Sequence, residues 1–214
     1  MTLPFNKLTG PNAELKEWSL VISRSIQPAM SPAEVDCYGA LLDYAQSIVE
    51  FGSGGSTLHA VTRGVARIVS VESDPAWIAR LRGNTEIVAA EKEGRLTLIH
   101  ADVGPVTSYG APADTSMSAK WPDYALAPWH SCSKPDIVLV DGRFRVACIA
   151  QAALHCKRAA LIAVHDFWKR PAYHEALRVL EWVSTVESFC IFRPRPWSAQ
   201  RALDLFERYR FTPL

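Results

Sequence analysis

The chain has 214 residues, 49% of them hydrophobic and 21% charged, which is enough to bury one substantial core and falls within the range of a single domain. Its 23 basic and 22 acidic side chains leave a formal charge of +1, so no long-range field draws it to nucleic acid or anionic lipid. No apolar run approaches the roughly 20 residues that cross a bilayer, and the opening MTLPFNKLTG lacks the regions of a signal peptide; a cytoplasmic domain with no membrane partner is expected.

Residues 1–46 read as helical, with apolar spacing in ELKEWSLVISRSI and a second segment, SPAEVDCYGALLDYA, in which Ser31, Pro32 and Glu34 form a helix-start signal with a capping box. Short β-branched runs then alternate with helical spacing. SIVEFG (47–52), RIVSVE (67–72), LTLIHA (96–101), DIVLVD (136–141) and ALIAVH (160–165) are apolar on consecutive positions, as in parallel strands covered on both faces. STLHAVTRG, PAWIARLRGNTEIVAAEKEG and FRVACIAQAALHCKR lie between them as helices. PAYHEALRVLEW reads as a further helix, WVSTVE and SFCIFRP as a closing antiparallel hairpin, and SAQRALDLFERYRF as a C-terminal helix. The expected fold is a doubly wound, mostly parallel seven-stranded α/β sheet with helices on both faces, an antiparallel C-terminal hairpin and an N-terminal helical extension. It forms one domain, with helices over 1–46, a core over 47–195 and a last helix over 196–214.

Residues 103–135 break the alternation with five prolines, and a loop of this length in a compact domain is usually functional or disordered. Trp121, Tyr124, Trp129 and His130 suggest a partly ordered lid over the acceptor, with core packing of the two tryptophans the alternative. The five cysteines are dispersed, with no C-x-x-C pair, and read as free thiols; Cys132, two residues from His130, is the one candidate for a reactive group.

The strongest local signal is Glu50-Phe51-Gly52-Ser53-Gly54-Gly55-Ser56-Thr57, where the first strand ends and a helix begins. Glycines there let the backbone turn sharply and approach a ligand. Glu72, 20 residues beyond Gly52 at the end of the second strand, is spaced to accept hydrogen bonds from both hydroxyls of a ribose. A dinucleotide fingerprint would want glycine where Thr57 stands, and Glu50 would repel a pyrophosphate while welcoming a cofactor with an ammonium group.

The E-F-G-S-G-G-S run resembles the first motif of class I S-adenosylmethionine-dependent methyltransferases, and the likeness in order extends over roughly residues 45–195. The resemblance implies that Gly52, Ser53, Gly54 and Gly55 lie against the methionine part of the cofactor, that Glu50 is among the residues that hold it, and that Glu72 binds the ribose. It also implies Asp102 near the adenine amino group and Asp141 beside methyl donor and acceptor. No N-P-P-Y sequence and no Pro-Cys nucleophile is present, which disfavours the amino-methylating and cytosine-C5 nucleic-acid enzymes.

Asp141-Gly142-Arg143 and His165-Asp166-Phe167 end the fourth and fifth strands, at the sheet edge where open α/β folds bind ligands. The arrangement is similar to that of metal-dependent small-molecule O-methyltransferases, although His-Asp stands where those enzymes commonly have Asp-Asn or Asp-Asp. Three readings stay open: Asp141 and Asp166 hold Mg²⁺, His165 acts as general base, or His165 and Asp166 cap the following turn. Arg143 or Arg145 could bind an anionic acceptor bidentately, or pair with Asp141. The sequence thus points to O-methylation of a small-molecule acceptor, with Asp141, Arg143, His165 and Asp166 at the chemistry. The rivals are an S-adenosylmethionine-binding protein without turnover and, further off, a nicotinamide-dependent oxidoreductase.

Overall fold

The structure is a computed structural model and describes residues 26–214. The first expected helix, ELKEWSLVISRSI, lies but for Ile26 outside the described residues. The second forms as α1 (Pro32–Leu42), started by the expected capping box: the Glu34 N–H donates to Ser31 Oγ at 3.3 Å and the Ser31 N–H to Glu34 Oε2 at 2.9 Å.

One sheet of seven strands organises the rest: β1 (Ser47–Phe51), β2 (Arg67–Glu72), β3 (Leu96–His100), β4 (Ile137–Val140), β5 (Leu161–His165), β6 (Leu180–Val186) and β7 (Phe189–Pro194), in the order β3-β2-β1-β4-β5-β7-β6. The first five are parallel, and β7 runs antiparallel to both β5 and β6. Strands β1, β2 and β4 are buried along nearly all their length because helices cover both faces. The crossovers are α2 (Gly55–Thr62), α3 (Pro75–Leu81) with α4 (Thr85–Lys92), and α6 (Arg145–His155), and α7 (Ala199–Tyr209) closes the chain. Two apolar clusters fill the two faces, one around Phe51, Val140 and Phe192, the other around Tyr38, Ile68 and Leu139.

Two expectations are corrected. The long helix expected after β2 is two helices, split where Asn84 caps α4 by accepting from the Glu86 N–H at 2.9 Å. PAYHEALRVLEW is a 3₁₀ segment only over Pro171–Arg178, and its last residues belong to β6. Residues 103–135 take the second of their two expected forms, core packing of the two tryptophans. They fold into α5 (Trp121–Leu126) and short 3₁₀ turns, with Trp121 and Trp129 buried in the core and their indole N–H groups donating to the Val103 and Ala125 carbonyls.

Strand order reverses between β1 and β4, and a crevice opens above such a switch point at the carboxyl ends of the strands. The two loops there approach closely. Gly52 has φ +92°, and a Cβ on it would lie 2.6 Å from Gly142 Cα; a Cβ on Gly142 would lie 2.1 Å from the Tyr124 hydroxyl. Only glycines let both backbones occupy this space.

Candidate functional site

A cleft of about 690 Å³ occupies the switch point, within the size range of small-molecule and cofactor sites. It brings together Gly52, Ser53, Gly54, Gly55, Glu72, Asp141, Arg143, His165 and Asp166, all expected from sequence. Sequence reading missed Trp77, Tyr109, Gly110 and Arg170, and the wall formed by Gln27 and Ala29. Gly55 is pressed against the Gln27–Pro28 peptide, with its Cβ position 2.0 Å from Gln27 C.

Glu72 is buried at the end of β2 and fixed by backbone donors. Its Oε1 accepts from the N–H groups of Ser73 at 2.8 Å and Asp74 at 2.9 Å, and its Oε2 from the Ser53 N–H at 3.1 Å. Burial raises its pKa against these hydrogen bonds, which favour the charged form. Oε2 accepts only that one bond among the described residues and so has capacity for a further donor, as recognition of a hydroxyl requires. The glycine loop is tied to this carboxylate through the Ser53 N–H and to Trp77, whose indole N–H donates to the Ser53 carbonyl at 2.7 Å.

Two expected cofactor residues stand apart from the cleft. Glu50 is fully buried beneath the loop, where its carboxylate accepts from Ser56 Oγ at 2.5 Å, Thr57 Oγ1 at 2.5 Å and Ser70 Oγ at 2.6 Å. Burial pushes its pKa up to about 7, assisted by the charge of Asp141 and opposed by the three hydroxyls. Thr57 also accepts from the Gly54 N–H at 2.8 Å, so a hydroxyl ties the loop to the acid at the position where a dinucleotide fingerprint has glycine. Asp102 is half-exposed, and its carboxylate pairs with Lys120 at 2.9 Å and accepts from the Gly104 N–H.

The ends of β4 and β5 form the second part of the site. Asp141 Oδ1 lies 3.0 Å from Arg145 Nη2 and 3.2 Å from His165 Nδ1, while Oδ2 has no hydrogen-bond partner among the described residues. Arg145 is buried and donates to the carbonyls of Gly142, His165 and Asp141, pinning the two strand ends together. His165 Nε2 faces Ser188 Oγ at 3.1 Å and Glu34 Oε2 at 3.3 Å. The hydrogen bond to Asp141 raises the His165 pKa against the opposing effect of burial, and the charges of Asp141, Asp166 and Glu34 add to the rise. Glu34 is a signal read from the sequence only as a helix cap. Burial raises its pKa, but hydrogen bonds from Ser188 and Ser31 and the charge of His165 together hold it at about 2.

This geometry bears on the open readings of the His165-Asp166 pair. Both ring nitrogens of His165 are engaged by side chains, Nδ1 by Asp141 and Nε2 by Ser188 and Glu34. Among the described residues no group of three or more His, Cys, Asp or Glu side chains could hold a metal ion, and Asp141 already faces two cationic groups. Neither observation supports the Mg²⁺ reading of Asp141 and Asp166. Asp166 takes a left-handed backbone (φ +59°), and its N–H donates to the Ser188 carbonyl at 2.9 Å. Cys132 is buried and burial raises its thiol pKa, which removes it as a nucleophile.

No protein-family model matches the sequence, and no curated protein matches it. Solved structures do match. A methyltransferase-like protein from Silicibacter pomeroyi superposes with a TM-score of 0.70 at 28% identity, over 85% of this chain and 97% of that one. An O-methyltransferase from Bacillus cereus in complex with S-adenosylhomocysteine gives 0.55 at 15% identity, over 88% and 93%. A methyltransferase from Geobacter sulfurreducens gives 0.52 at 14% identity, over 89% and 93%.

Proposed function

We propose that this chain, which has the Rossmann-like fold of class I S-adenosylmethionine-dependent methyltransferases, is itself such an enzyme and methylates an oxygen of a small-molecule acceptor. The observation that carries this reading is Glu72, held by three backbone N–H groups and facing the same cleft as the Gly52–Gly55 loop and Asp141. The loop and Glu72 would hold the methionine and ribose parts. S-adenosylmethionine supplies a methyl group on a sulfonium, electrophilic toward an oxygen nucleophile.

The chain's own contribution is orientation and charge. Arg145 and His165 fix one oxygen of Asp141 and leave the other to accept the hydrogen bond of an acceptor hydroxyl, aim its lone pair at the donor, and take its proton as the new oxygen–methyl bond forms and the sulfur–methyl bond breaks.

The reading is tested by incubating the protein with methyl-labelled S-adenosylmethionine and a panel of phenols and hydroxy acids, alongside Asp141→Asn. Label transfer that falls at least about 100-fold in the variant supports it. Transfer to amines alone, or unchanged transfer by the variant, contradicts it.

A further inference from the structure

The acceptor end of the cleft carries positive charge that its acids do not offset. Arg145 is spent on three carbonyls and Asp141. Arg143 differs. It is half-buried, its Nε donates to the Tyr109 carbonyl at 2.8 Å, and among the described residues its two Nη groups meet no carboxylate and no other acceptor. Burial lowers its pKa, and the charges of Arg145 and Arg170 lower it further. Arg170 lines the same cleft, and its acidic contact, Asp166 Oδ2, is long at 3.8 Å, with Lys169 at 3.5 Å from the other oxygen of that carboxylate. A half-buried guanidinium beside two others, without a counter-ion, costs free energy that a bound anion would offset.

We infer that the methyl acceptor is an anion, a small molecule carrying a carboxylate or phosphate group, and that Arg143 binds that group with Arg170 as second donor. The inference deepens the methyltransferase reading and rests on it for calling the ligand an acceptor. The two Nη groups of Arg143 present parallel N–H donors that match the oxygens of either group bidentately, a geometry that lysine lacks. Sequence alone leaves Arg143 and Arg145 equivalent; the hydrogen bonds of Arg145 separate them.

The test follows arginine Nε–H resonances by NMR while inorganic phosphate, and separately acetate, is titrated at constant ionic strength into protein saturated with S-adenosylhomocysteine. Wild type should show a saturable shift that Arg143→Ala weakens about tenfold or more, Arg143→Lys weakens less, and Arg170→Ala weakens about threefold. The affinity for S-adenosylhomocysteine should stay within about twofold in all three variants, which also reports that they fold. Tighter phosphate points to a phosphorylated acceptor and tighter acetate to a carboxylic one. A wild type without a saturable shift, or an unchanged shift in Arg143→Ala, overturns the inference. So does a tenfold loss of S-adenosylhomocysteine affinity in Arg143→Ala, because Arg143 would then hold the cofactor's own carboxylate. A wild type that binds no S-adenosylhomocysteine would remove the methyltransferase reading, while the same titrations on the free protein would still read the anion site.

Discussion

His165 Nδ1 lies 3.2 Å from Asp141 Oδ1, joining the ends of β5 and β4 at the centre of the cleft. The pair explains why the imidazole pKa is raised. The protonated ring therefore contributes stability in full below the unfolded value of about 6.5 and loses it as pH rises through the higher folded value. NMR titration of wild type should place the His165 midpoint above about 6.5, and Asp141→Asn should lower it by about one unit or more. A midpoint unmoved by the substitution contradicts the pairing.

Glu34 reaches the same ring from α1, and its depressed pKa works at the other end of the pH scale. Its value falls from 4.5 to about 2, so its contribution is present above the unfolded value and disappears as pH falls toward 2, an effect on the order of 3 kcal/mol. Urea unfolding should find Glu34→Gln destabilised by about 2–4 kcal/mol at pH 7. The gap to wild type should close with acidification below 4.5. An equal gap at pH 3 and pH 7 would show that packing alone, not charge, is lost.

Glu50 has the opposite sign. A buried acid whose pKa is raised from 4.5 to about 7 costs stability as pH rises through that interval. Relative to Glu50→Gln, wild type should therefore lose unfolding free energy between these values and level off above them. Parallel pH profiles for the two proteins would mean that the carboxyl is not held neutral in the fold.

The contact of Gly52 with Gly142 predicts which glycines the cleft cannot exchange. Gly142→Ala would drive its Cβ into the Tyr124 hydroxyl and the Gly52 backbone, for a loss of at least about 2 kcal/mol and of ligand affinity. Gly94 also has a positive φ, +72°, but open space around its Cβ position, so Gly94→Ala should cost only the left-handed strain of about 1–2 kcal/mol and spare binding. Thermal unfolding with and without ligand separates the two cases, and equal effects would contradict the close approach.

The parallel strands are legible because consecutive β-branched residues suit positions covered on both faces, and their observed ends differ from the expected ones by no more than one residue. The edge strand β6 is less so: Glu181, Trp182 and Val183 are exposed, so no buried run distinguishes them from the end of a helix. The glycine loop, Glu72, Asp141 and His165 are legible because strand ends in a doubly wound sheet converge on one edge. The reach of Glu34 to Ser188, 154 residues away, has no local signature. Neither does the division of labour between Arg143 and Arg145, which depends on which carbonyls the strand ends present.

The proposed function stands on the Gly52–Gly55 loop and Glu72 forming an S-adenosylmethionine site. Calorimetric titration with S-adenosylhomocysteine, on wild type and Glu72→Ala, tests it most directly. Micromolar binding that the substitution weakens about 100-fold is the predicted result, the loss expected when hydrogen bonds to a charged acceptor are removed. No binding to folded wild type, or equal binding to both proteins, would contradict it.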